Sequence, residues 1–104
     1  MAGETITKGV NGYELGGQVL RDREILDITE GSVRAVTPDG QVLKRIDFAA
    51  GRFSAVVFDT GAFQAMEATR NEDGDLIIRV LGESTIAGAI SAGVKFRRVS
   101  APVA

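Results

Sequence analysis

Val33-Arg34-Ala35-Val36-Thr37-Pro38-Asp39-Gly40-Gln41-Val42-Leu43 reads as one β-hairpin. Short apolar arms flank Thr37-Pro38-Asp39-Gly40, where proline presets the turn φ and Asp-Gly supplies the position that takes positive φ. A second hairpin signal follows at Asn71-Glu72-Asp73-Gly74, which leads into Asp75-Leu76-Ile77-Ile78-Arg79-Val80-Leu81. That run is β-branched and too short for a comfortable helix, so residues 75–81 read as a buried strand.

Outward from these hairpins the same pattern recurs at residues 19–20, 24–28, 46–48, 53–58 and 94–99, with Gly17, Gly31, Gly51, Gly82 and Gly93 between or beside them. Short strands with turn signals at this spacing predict a mainly-β fold, an antiparallel β-sandwich or small β-barrel. Phe53-Ser54-Ala55-Val56-Val57-Phe58 is apolar on both faces and suits a central strand, with Phe53, Val57 and Phe58 in the core.

Residues 60–70 leave two options open. Ala62, Phe63, Ala65, Met66 and Ala68 fit helical spacing, with Asp59 or Thr60 as N-cap and Arg70 at the C-terminal end, which gives one short α-helix around 61–70. The same residues also alternate, with Phe63, Ala65 and Glu67 on one side, as an arm of the hairpin that follows.

The 104 residues form a single β domain, 1–104, long enough to bury a core without staples. Residues 1–16 are polar and glycine-punctuated, and 100–104 are small residues with Pro102; both read as arm-like ends. No repeat or low-complexity tract interrupts the chain. Met1 to Thr5 lacks the basic and apolar regions of a secretory leader, and no apolar run approaches the roughly 20 residues that span a bilayer, so the expectation is a soluble protein.

The chain has no His and no Cys, and 12 basic residues stand against 14 acidic ones. The side chains most used for near-neutral proton transfer, thiol chemistry and transition-metal ligation are therefore missing, and no strong field advertises nucleic acid or an acidic membrane. Asp22, Glu24, Asp27, Asp47 and Asp59 remain as carboxylates, and a glycosidase-like pair would need two of them across a cleft. Asp22-Arg23-Glu24 reads as an exposed charged turn instead.

Other motifs reduce to structural needs. Asn71, Asp73 and Asp75 carry oxygen ligands, yet Gly74 is misplaced for an EF-hand and no glutamate closes the loop. Gly82, Gly88 and Gly93 with Ser84 and Thr85 lack the sequence of a phosphate-cradling loop, and 85–93 reads as small residues that let backbones approach or a loop pack flat. In Lys95-Phe96-Arg97-Arg98 a strand splits the cations between two faces, which weakens a nucleic-acid surface and leaves interface anchors. Ser54, Thr60 and Ser84 have no His base, and nothing local desolvates Lys8, Lys44 or Lys95.

In type, the chain resembles small, glycine-rich, cysteine-free β-proteins that repeat in symmetric assemblies, phage particles included. The expectation is a non-enzymatic structural subunit, a virion or shell component such as a capsid-decorating or tail-associated protein, with no cofactor and no metal. Its partners would be itself or another shell subunit, not nucleic acid or membrane. Edge strands and terminal arms would carry the contacts, through Thr5, Ile6, Val10, Phe96, Arg97 and Val99. The alternative is a small-ligand or carbohydrate-binding β-module, for which only Tyr13 offers an aromatic platform beyond phenylalanine.

Overall fold

The computed structural model describes residues 3–40, 42–48, 52–59 and 61–99. Thr60, weighed above as a helix cap, and the arm-like residues 100–104 lie outside them. The elements in chain order are β1 (Glu4–Thr5), β2 (Thr7–Gly9), β3 (Gly12–Leu15), β4 (Gln18–Val19), β5 (Ile25–Val36), β6 (Leu43–Phe48), β7 (Phe53–Phe58), β8 (Ala62–Arg70), β9 (Leu76–Thr85), α1 (Ile86–Ala92) and β10 (Lys95–Arg98). The main sheet runs β1-β10-β5-β7-β8-β9, with β6 paired to β5, and β2-β3-β4 form a second sheet. Because β9 returns to β5 at Val36↔Glu83, strands β5, β7, β8 and β9 close into a near-ring. The fold is a mainly-β, barrel-like module with one short helix among the described residues.

Strand β5 makes the ring possible by changing which residues face inward. Leu26 and Ile28 are buried in its first half, Val33 and Ala35 in its second. The switch from even to odd positions needs an extra residue, and Thr29 supplies it: Lys95 faces Glu30 while Phe96 faces Ile28. Gly31 follows at φ 111°, packed so closely that a Cβ there would stand 2.9 Å from Val94 Cα. The first half of β5 thus pairs with β7 and β10, and the second half with β6 and, at its end, β9.

The core is aliphatic with two aromatic pairs. Phe63 and Phe96 meet edge to face at 5.7 Å, and Phe48 and Phe53 at 5.3 Å. Phe53 and Val57 are buried as expected, whereas Phe58 is half-buried at the strand end. Both hairpins stand where the turn chemistry put them. Gly40 and Gly74 take φ 76° and 82°, and their N–H groups donate to the Thr37 and Asn71 carbonyls.

One open alternative is settled and two expectations are corrected. Residues 62–70 are a strand, not a helix: Phe63 and Ala65 point inward and pair with Val57 and Ala55. The helix lies at Ile86–Ala92, in the segment expected to let backbones approach or to pack as a flat loop. Thr85 caps it by accepting from the Gly88 N–H at 3.0 Å, Ile86 and Ala89 are buried, and Gly93 closes it at φ 74°. Residues 75–81 lie in or next to a strand as expected, but only Leu81 packs against the core; 75–80 are exposed, because β9 runs past the ring and loses its neighbour on one side.

Within the first sixteen residues Ile6 and Leu15 are buried in the common core, joined by Leu20. Arg98 holds this region down. Its guanidinium pairs with the Glu24 carboxylate and donates to the Gln18 carbonyl at 2.7 Å and to the Leu15 carbonyl at 3.4 Å.

Candidate functional site

The exposed end of the β8–β9 hairpin is the feature that the core does not explain. At the ring, Gln64 faces Glu83 and Ala65 faces Gly82, but Met66 faces Val80, so Leu81 is a bulge residue. Beyond it the hairpin runs on through Ala68↔Ile78 to Arg70↔Leu76, while β5 has already turned away at Val36. Leu76, Ile77, Ile78 and Val80 are left 55%, 45%, 54% and 36% exposed. Isolated exposed aliphatics are ordinary; four in five consecutive residues of one strand are not.

Two further facts define this strand. Leu76, Ile78 and Val80 share the outer face with Val36 and Leu43, as the pairings Leu43↔Val36, Val36↔Glu83 and Met66↔Val80 require. On the opposite face Glu67, its side chain 13% exposed, is gripped by Arg52 at 3.3 Å and Arg79 at 3.0 Å. Those ion pairs tie β8 to β9 and to the residue that precedes β7. The turn is held by Asn71, whose Oδ1 accepts from the Asp73 and Asp75 N–H groups at 3.0 and 2.9 Å.

The residues singled out from the sequence are dispersed. Thr5, in β1, pairs with Lys95, which brings the N-terminal strand beside Phe96 and Arg97. Ile6 and Phe96 are fully buried and serve the core of their own chain. Arg97 is bound to Asp27 at 2.9 Å, Val99 is 41% exposed, and Val10 stands fully exposed in the turn that joins β2 to β3.

The carboxylates have local work. Asp22 accepts the Asp59 N–H at 2.9 Å, where Asp59 adopts φ 55°; Glu24 pairs with Arg98, Asp27 with Arg97, and Asp47 with Arg45 at 3.1 Å. The cations of β10 are likewise engaged, with Lys95 on Glu30 at 3.5 Å. Ser84 donates to the Arg34 carbonyl, and Lys8 lies over the Tyr13 ring. Among the described residues no three acidic side chains gather into a metal-binding group, and no helix is long and apolar enough to cross a membrane.

A groove of about 310 Å³ opens at one mouth of the ring, lined by Lys44, Arg45, Asp47, Phe53, Glu67 and Leu81. The chain matches no family model, and no curated protein or solved structure aligns with it. The geometry describes a compact β-module without a catalytic or cofactor-binding constellation among the described residues, of the kind that serves structural or interaction roles.

Sequence reasoning placed Leu76, Ile77, Ile78 and Val80 in the core. A continuous apolar run looks the same whether a second layer covers it or nothing does.

Proposed function

We propose that this chain is a non-enzymatic assembly subunit that joins its neighbours through sheet edges. The observation that carries this reading is the largely apolar edge of β9 beyond Val80, which has no strand partner among the described residues. An open edge is a template for another strand, and proteins that must stay monomeric blunt it with lysine, proline, bulges or a covering loop. Residues 76–80 carry no lysine or proline; their one charge, Arg79, is held by Glu67 on the inner face, and the bulge at Leu81 lies at the ring and not along the exposed run.

A shell or virion component is the assembly we favour. Besides β9, the outer edges of β6 and β1 have no strand partner among the described residues. Open edges on different sides of the molecule supply contacts in more than one direction, as a lattice subunit needs and a simple dimer does not.

Sedimentation velocity over a wide concentration range, with negative-stain imaging of the same samples, tests the proposal. The expected result is concentration-dependent growth into discrete particles, rings or sheets. A monomer persisting to about 1 mM, the weakest self-affinity of practical consequence, would overturn it.

A ligand-binding module is the second reading, favoured by the groove between Lys44 and Glu67. Its volume lies at the lower end of small-molecule sites, which span about 300–1,000 Å³. A small anion or sugar that raises the melting temperature in proportion to the logarithm of its concentration would support that reading.

A further inference from the structure

The β9 edge has a polarity that specifies its partner. We infer that it pairs with the β9 edge of a second copy of this chain, antiparallel, about a two-fold axis at Ile77. This inference rests on the assembly reading and names its first contact.

The backbone sets which residues can take part. Along an antiparallel pair, residues alternate between exchanging hydrogen bonds with the partner and pointing their N–H and C=O away. The Asn71 N–H donates to the Asp75 carbonyl at 3.1 Å, whereas the Ala68 N–H, opposite Ile78, turns from β9 to the Arg52 carbonyl at 2.9 Å. Thr69↔Ile77 and Glu67↔Arg79 are therefore the bonded pairs within the hairpin. Leu76, Ile78 and Val80 aim their backbone groups at the open edge. A second strand must bond to these residues, so Leu76 can face Ile78 of the other copy, or Val80, but not Ile77.

The side chains select among the allowed registers. Asp75-Leu76-Ile77-Ile78-Arg79 reads acid, three aliphatics, base. With Ile77 on the axis, Leu76 faces Ile78 of the other copy, and Asp75 faces its Arg79, twice by symmetry. Asp75 and Arg79 then form a non-hydrogen-bonded pair, the kind in which opposite side chains come closest. Shifting the axis to Ile78 sets Ile77 against Arg79 and removes both charge pairs. Arg79 pairs with Glu67 within its own hairpin and must turn from it to reach across, and Glu67 then keeps Arg52 as its partner. The interface is isologous, with aliphatics at the centre and an ion pair at each end.

Charge reversal tests this directly. Asp75→Arg alone places like charges opposite each other at both ends, as does Arg79→Asp alone, and each should raise the dimer dissociation constant roughly tenfold or more. Mixing D75R protein with R79D protein restores opposite charges at both positions, so the 1:1 mixture should dimerise where neither variant does. Far-UV circular dichroism and thermal melts of each variant confirm that the fold is intact. If the wild type assembles and both variants assemble equally well, the β9 register is wrong while the assembly reading stands. If the wild type stays monomeric at all concentrations, both are wrong.

Discussion

Gly82 lies directly against the backbone of Val36: a Cβ on Gly82 would stand 2.5 Å from the Val36 carbonyl oxygen and 3.1 Å from Ala35 Cβ. This is the point where β9 meets β5 and the ring closes. No side chain fits there, because the Val36 carbonyl is backbone and the Ala35 methyl has no torsion that would move it aside. Gly82→Ala should therefore destabilise the protein by about 1–3 kcal/mol, the usual range for overpacking. Urea unfolding measures it, and an unchanged midpoint would mean that the β5–β9 contact contributes nothing to closure.

Glycines of positive φ should separate into two classes. Gly40 and Gly74, at φ 76° and 82°, have nothing within 4 Å of a built Cβ, so alanine there meets only the left-handed backbone cost of about 1–2 kcal/mol. Gly31 combines φ 111° with the approach to Val94, and Gly31→Ala should cost more than either. Equal losses at all three positions in the same unfolding assay would contradict close packing of β5 on the Val94 backbone.

Helix α1 has seven residues, below the length that is stable alone, so its cap and its packing hold it. Thr85→Ala removes the acceptor of the Gly88 N–H and should cost about 1 kcal/mol, whereas Thr85→Ser should retain most of the stability. Chemical denaturation of the two variants side by side checks this. Equal loss in both would assign the effect to the threonine methyl and not to the cap.

Turn chemistry was legible in the sequence because Pro38-Asp39-Gly40 and Asp73-Gly74 act through local backbone needs. The mainly-β class followed from the regular spacing of such signals. The helix was not seen, although Thr85 and Gly93 bracket Ile86, Ala89 and Ile90 at helical spacing; the intervening glycine and serine masked a pattern only two turns long. Residues 62–70 satisfied both periods, and only the pairing of Phe63 with Val57 settles them as strand. Exposure of the β9 end was out of reach, since it depends on where β5 turns at Val36, far away in sequence. The same holds for Asp75 and Arg79, whose significance appears only once that edge is seen to be open.

Arg98 links the second sheet to the first, and its loss should be felt locally before it is felt globally. Its fork pairs with Glu24 and reaches the Gln18 and Leu15 carbonyls, spanning the ends of β3 and β4. Both side chains of the ion pair are partly exposed, so solvent screening reduces its contribution, and Arg98→Ala should cost about 1–2 kcal/mol overall. Arg98→Lys keeps the charge but cannot supply the planar fork, and should recover little of that loss. The Leu20 N–H, which donates to the Tyr13 carbonyl at 2.9 Å, reports on the small sheet. Hydrogen exchange at Leu20 should quicken in both variants, while amides paired between β7 and β8 keep their protection. Uniform acceleration across both sheets would show that the two unfold as one unit, and that Arg98 stabilises the whole domain and not the joint.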